Sequence, residues 1–243
     1  MRIKPEQTQQ QSTGIVWALR LPLIIINFKN YPETHGQNTI ELSKVAQKVA
    51  NDTKVEIVLA PPQASIAAVS QNVPIPVLCQ HLDDAPEGAA TGFFIPEMAK
   101  SFGASGSLLN HSEHRLGRQT IRKLIERLRS LQMTSVVCAK TPDEVASIAK
   151  FRPDFIAIEP PELIGSGKAV SKHNPSLITR SVEAKARYSS STKLICGAGI
   201  VEKIDVSSAA RLGAEGILVA SGIVKSHSWS EKIYELASGF NDQ

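Results

Sequence analysis

Short apolar runs recur along this chain, and each is followed by a longer stretch whose apolar side chains return every three or four positions. The runs predict strands at Leu23–Phe28, Glu56–Ala60, Pro76–Gln80, Gly106–Asn110, Ser135–Ala139, Phe155–Glu159, Lys193–Gly197 and Gly216–Ala220. They are nearly continuous in hydrophobicity, as parallel strands covered on both faces require. The stretches between them predict amphipathic helices, and several helix ends are marked. Thr141-Pro142-Asp143-Glu144 offers an N-cap, a proline at the first helical position and a Glu to complete a capping box. Asn174-Pro175 marks another start, and Gly103 and Gly213 are natural C-terminal stops.

An internal echo supports a repeated unit. Ser101-Phe102-Gly103-Ala104-Ser105-Gly106-Ser107-Leu108-Leu109 resembles Ala210-Arg211-Leu212-Gly213-Ala214-Glu215-Gly216-Ile217-Leu218, each reading as helix end, glycine stop, turn and strand. Eight βα units in about 220 residues predict a closed (β/α)8 barrel, a single domain over residues 21–243. A doubly wound open sheet would want a glycine-rich fingerprint after its first strand, where this chain has Asn27-Phe28-Lys29. Residues 1–20, with the polar run Gln7 to Thr13, read as a disordered extension.

Composition narrows the function classes. Hydrophobic residues at 42% and charged residues at 21% of 243 describe an ordinary globular chain. The net charge of +4 and pI near 9.0 are too mildly basic to imply nucleic acid and suit a small anionic substrate. The basic cluster Arg115, Arg118, Arg122, Lys123, Arg127 and Arg129 is interleaved with Leu124, Leu128 and Leu131, so it reads as the solvated face of a helix. Cys79, Cys138 and Cys196 each lie in an apolar run without metal or redox spacing, as reduced core residues of a cytoplasmic protein would. The stretch Ile15 to Ile26 is broken by Arg20 and Pro22 and predicts neither a membrane span nor an export signal.

In such a barrel, chemistry sits at the C-terminal ends of the strands. The first strand delivers Asn27 and Lys29, whose spacing in extended chain aims both toward the interior. Lys29 alone is equally a solvated loop lysine. The fourth strand delivers Asn110-His111-Ser112-Glu113-His114-Arg115. A helical turn after His111 would aim backbone N–H groups at the ring and favour neutral imidazole, while a core histidine is the plainer alternative. His111 and His114 lack a third ligand at metal spacing. The sixth strand delivers Glu159, followed by Pro160-Pro161-Glu162-Leu163-Ile164-Gly165-Ser166-Gly167-Lys168. A stiff, then hinged loop behind a carboxylate fits a lid attached to a general base; an incidental Glu on a surface turn is the alternative. Small residues at Cys196-Gly197-Ala198-Gly199 and Ala220-Ser221-Gly222 would let backbone amides approach an anion, the usual phosphate position in a barrel.

Taken together, these motifs resemble the triosephosphate isomerase family, its shorter archaeal form most closely, from Leu21 to about Gly239. The resemblance implies the TIM barrel fold and an intramolecular aldose–ketose isomerase of glycolysis and gluconeogenesis that uses no cofactor or metal. It implies Glu159 as base, neutral His111 as electrophile, and Lys29 with Asn27 at the phosphate and developing oxyanion. The backbone of Ile164, Gly165, Gly199, Ala220 and Ser221 would hold the phosphate under a lid from Pro160 to Lys168, and Ser112 and Glu113 would orient Lys29 and the helix start. It implies a triose phosphate as partner and a homo-oligomer, a homotetramer ahead of a homodimer, with no nucleic acid or membrane partner. Two departures touch the lid and the histidine motif, and both fit the archaeal type: Pro161-Glu162-Leu163 stands where bacterial and eukaryotic forms carry Val-Trp-Ala, and His114-Arg115 stands in place of Arg-Arg. Gly88-Ala89-Ala90-Thr91-Gly92-Phe93-Phe94 occupies the place of the family's dimer loop, its aromatic pair either core or subunit contact. Another phosphate-binding barrel enzyme, or a non-catalytic phosphosugar-binding protein, would share the late loops without reason to keep Asn27, Lys29, His111 and Glu159 together.

Overall fold

The uninterrupted apolar runs form strands because both their faces are covered. In the computed structural model, which describes residues 19–163 and 169–241, the chain begins with β1 (Leu23–Asn27), α1 (Gln37–Asp52), β2 (Glu56–Ala60), α2 (Ile66–Asn72) and β3 (Leu78–Cys79). It continues with α3 (Pro96–Ser101), β4 (Gly106–Leu109), α4 (Arg118–Ser130), β5 (Thr134–Ala139), α5 (Pro142–Ala149) and β6 (Phe155–Ile158). After β6 come α6 (Val170–His173), α7 (Pro175–Ala186), β7 (Lys193–Cys196), α8 (Lys203–Arg211), β8 (Gly216–Val219), α9 (Ser221–Val224) and α10 (Trp229–Ser238). The eight strands are parallel in the order β2-β1-β8-β7-β6-β5-β4-β3. Between β2 and β3 the barrel closes through one bridge, Leu59 with Val77, where Leu59 N–H donates to Pro76 O at 2.9 Å. The third strand is shorter than its apolar run because Pro76 has no N–H to offer the ladder.

Alternation along the strands sorts the core into two compartments. Leu23 and Ile25 of β1, Leu108 of β4, Phe155 and Ala157 of β6 and Leu218 of β8 pack together inside the barrel. Ile24, Ile26, Ile156 and Ile158 point outward onto the helices. Each fully buried aliphatic side chain contributes about 1.5–3 kcal/mol relative to exposure. The same parity carries Asn27 and Glu159, two positions beyond Ile25 and Ala157, to the interior at the C-terminal rim.

The marked helix ends hold with one change. Gly103 and Gly213 adopt φ of 90° and 97°, and Thr141 Oγ1 accepts the N–H of Glu144 at 3.2 Å. The other half of that capping box is redirected, because Glu144 Oε2 accepts from Lys140 N–H at 2.8 Å while Oε1 meets Asn110 Nδ2 at 3.2 Å and pairs with Arg115. Glu144 therefore fastens α5 to the loop after β4. On α4, Ile121, Leu124, Ile125 and Leu128 are buried, and part of the basic face is neutralised by Lys123–Asp84 at 3.1 Å and Arg127 Nε–Glu97 at 2.7 Å. The three cysteines are free and buried. Of residues 1–20, only Leu19 and Arg20 fall within the described part; Leu19 packs against the barrel interior and Arg20 Nε donates to Glu56 at 2.6 Å.

His114, instead of joining His111, stacks on His81 with ring centroids 3.6 Å apart. Burial and then the charge of His114 hold the His81 pKa below its ordinary value, with Asp83 opposing. The unfolded chain therefore takes the proton first as pH falls below about 6.5, so stability is full above that value and is lost below it. Urea titrations at pH 7.5 and 5.5 should show this loss in the parent chain and a smaller one in His81→Gln. Equal losses would remove His81 as the cause.

Candidate active site

One pocket opens at the C-terminal ends of the strands. Its walls are Asn27, Lys29 and Tyr31 after β1, His111 after β4, Glu159 after β6, residues 198–201 after β7 and residues 218–222 at the end of β8. The four side chains expected to carry chemistry thus meet in one place.

Lys29 arrives by a route that the extended-chain spacing does not describe. The strand stops at Asn27, and Lys29 takes a left-handed backbone with φ of 48°. Asn27 Oδ1 accepts the Lys29 N–H at 3.0 Å, and Gln80 Nε2 donates to Lys29 O and Ala60 O, both at 3.0 Å. The Lys29 side chain, 12% exposed, is held with Nζ 2.7 Å from Glu113 Oε1. Ser112, named beside Glu113 by the resemblance, has no side-chain hydrogen bond among the described residues.

No helix begins directly after His111. A turn closes there, with His114 N–H donating to His111 O at 2.9 Å, and α4 starts only at Arg118. Glu113 N–H donates to His111 Nδ1 at 3.2 Å, the bond that a neutral imidazole with its N–H at Nε2 would make. Glu113 Oε2 lies 3.6 Å from the same Nδ1, while its Oε1 is held by Lys29 at 2.7 Å. Asn110 sets up the turn in a left-handed conformation, φ 59°, donating to Cys138 O at 2.9 Å and accepting from Leu116 N–H at 3.0 Å.

Glu159 is 6% exposed, and its Oε2 has no hydrogen-bond partner among the described residues. His111 Nε2 stands 3.7 Å from that oxygen. A buried polar atom left unpaired costs about 1–3 kcal/mol, a cost a fold sustains where the group has work to do. Burial first, then the nearby Glu159 carboxylate, pushes the thiols of Cys138 and Cys196 well above their ordinary range. Both stay protonated and are poor nucleophiles.

After β7 the chain bends through Ala198 (φ 68°) and Gly199 (φ 70°). Gly199, Ala220 and Ser221 line the same pocket as Glu159 and His111. Ile164 and Gly165, with the rest of the lid from residue 164 to Lys168, lie outside the described residues.

The sequence model of the family described as triosephosphate isomerase matches residues 22–237. The chain belongs to the triosephosphate isomerase family. Among curated relatives bearing that name, the Cenarchaeum symbiosum protein is 48% identical over 222 residues, 91% of this chain and 99% of the relative. The Sulfurisphaera tokodaii protein is 46% identical over 217 residues, covering 89% and 94%, and that of Caldivirga maquilingensis 43% over 219, covering 90% and 97%. The family match spans every strand end that contributes to the pocket, and these relatives are archaeal, as the motifs implied.

Two residues that shape the pocket are missing from the expected set, Gln80 and Gly197. Gln80, which clamps Lys29, is a polar side chain at the end of the third apolar run and is legible by the same rule. Gly197 is not. A Cβ built there would collide with Glu159, 2.7 Å from Oε1 and 2.8 Å from Cδ. Gly197→Ala should therefore push Glu159 out of place and lower kcat about 100-fold while the barrel still folds, since displacements near 1 Å cost rates on that scale. Steady-state kinetics with circular dichroism would check this, and an unaltered kcat would show that Glu159 works from another position.

Proposed function

We propose that this chain interconverts dihydroxyacetone phosphate and D-glyceraldehyde 3-phosphate by proton transfer through an enediolate. What supports the reading is the buried Oε2 of Glu159, without a hydrogen-bond partner among the described residues and 3.7 Å from His111 Nε2, with Lys29 in the same pocket. Glu159 removes a proton from the carbon beside the substrate carbonyl. The electron pair moves onto the carbonyl oxygen, which the Nε2–H of His111 stabilises by a hydrogen bond. A proton then passes between the two enediolate oxygens by way of the imidazole, and Glu159 returns its proton to the neighbouring carbon. Lys29, with Asn27 beside it, supplies positive charge for the phosphate and the oxyanion. Gly199, Ala220 and Ser221, joined by Ile164 and Gly165, bind the phosphate. No step calls for a cofactor or a metal.

Turnover in a coupled assay of the purified chain, unaffected by a chelator, tests this; no interconversion, or a metal requirement, would refute it. Another phosphate-binding barrel would leave the base, electrophile and cation without a common purpose. We further propose a cytoplasmic homo-oligomer. Its support is free, buried cysteines and the exposure of Phe93 (51%), Met98 (41%) and Phe102 (45%); Phe94 stacks on Phe102 at 6.3 Å, so the aromatic pair divides between core and surface. Light scattering should give a mass above that of one chain, and a monomer at micromolar concentration would refute it. Among the described residues no helix is long and apolar enough to cross a membrane.

A further inference from the structure

Asp205 is a carboxylate only 1% exposed that the proposed chemistry leaves unused. It stands in the first turn of α8, and its two oxygens serve different elements. Oδ2 accepts the N–H groups of Val201 and Glu202, each at 3.0 Å. Oδ1 lies 2.8 Å from Nζ of Lys172 on α6. Glu202 Oε2 joins the same ammonium at 3.2 Å, and Ser171 Oγ donates to the Asp205 backbone carbonyl at 3.1 Å.

The segment so fastened forms one wall of the pocket, because Val201 is the last of the four lining residues after β7. That wall needs fastening. A non-glycine residue in the left-handed region, as Ala198 is, costs about 1–2 kcal/mol, so the turn holds its shape only where neighbouring contacts fix it. Lys232 of α10 donates to Val201 O at 3.0 Å and fixes the same point from the other side. A carboxylate buried this deeply would be unfavourable alone; Lys172 compensates its charge. The contact with Asp205 is an ion pair without hydrogen-bond geometry; the carboxylates of Asp205, first, and Glu202 raise the Lys172 pKa, so the ammonium stays charged through the neutral range.

We infer that Lys172 and Asp205 are a positioning pair for the phosphate end of the pocket: their ion pair holds α6 against the Val201–Glu202 turn and so fixes the wall formed by residues 198–201. The inference rests on the reading that this pocket takes a triose phosphate. Lys172 touches none of the proposed reacting groups, so its loss should weaken anion retention without stopping proton transfer.

The test uses the full chain, with 2-phosphoglycolate as probe in titration calorimetry, alongside kcat, KM and thermal melting. Lys172→Gln should weaken 2-phosphoglycolate about tenfold and raise KM comparably, with kcat within about threefold, the pattern of lost uniform binding. Lys172→Arg should restore affinity to within about twofold, because it returns the charge. Unchanged affinity in Lys172→Gln overturns the pair, as does a loss shared by Lys172→Arg that merely follows a lower melting temperature. A parent chain that neither turns over triose phosphate nor binds 2-phosphoglycolate overturns the substrate reading together with the pair; an active parent with an unaltered Lys172→Gln overturns the pair alone.

Discussion

Glu159→Gln should lower kcat for triose phosphate interconversion by about a thousandfold or more, the upper part of what a positioned general base supplies. Glutamine keeps the shape of the side chain, so the close approach of Gly197 and the packing around it survive; what disappears is the basic oxygen. No neighbour replaces it. The thiols of Cys138 and Cys196 stay protonated, and the Glu113 carboxylate is held by Lys29. The melting temperature should stay level or rise, because Oε2 is buried with no hydrogen-bond partner among the described residues and a neutral amide is cheaper to bury than a carboxylate. A kcat within tenfold of the parent would remove Glu159 from the base role.

His111→Gln should lower kcat by about 10²–10³-fold, the usual loss when one preorganised donor to a developing oxyanion is removed. The size of the effect depends on the tautomer. With Glu113 N–H at Nδ1, the proton of a neutral ring would sit at Nε2, where the carbonyl oxygen would lie. Glutamine can place an amide N–H nearby but cannot also accept the Glu113 N–H with a rigid ring, and the turn that carries Glu113 and its bond to Lys29 should loosen. The loss should fall mainly on kcat, because a donor aimed at charge that develops in the transition state does little for the ground state. A loss confined to KM would instead make His111 a binding residue.

Much of this arrangement is legible along the chain, for a physical reason. Strands covered on both faces must be apolar throughout, so polar residues that end the runs, Asn27, Asn110-His111 and Glu159, mark the rim where burial stops and chemistry starts. Parity then carries Asn27 and Glu159 inward with Ile25 and Ala157. The rule fails where the backbone leaves the strand. Lys29 is left-handed, and it reaches the pocket because Gln80, 51 positions away, holds its carbonyl. Helix signals mislead similarly: the N–H at His111 belongs to a turn, not to a helix, and the Glu144 that should close its own capping box reaches across to Asn110 and Arg115 instead. Gly197 and the pairing of Lys172 with Asp205 are illegible because each is defined by a partner distant in sequence. A glycine that admits a carboxylate looks like any glycine in a turn until the carboxylate is in place.

The central claim is that a single carboxylate carries the transferred hydrogen as a proton. Interconversion run in deuterated water and followed by nuclear magnetic resonance tests it most directly. Part of the product formed by the parent chain should carry solvent deuterium on the carbon that receives the hydrogen, and Glu159→Gln should lose exchange and turnover together. Product formed with no solvent deuterium under any condition would indicate a hydride shift, and exchange persisting in Glu159→Gln would place the base elsewhere; either result contradicts the account.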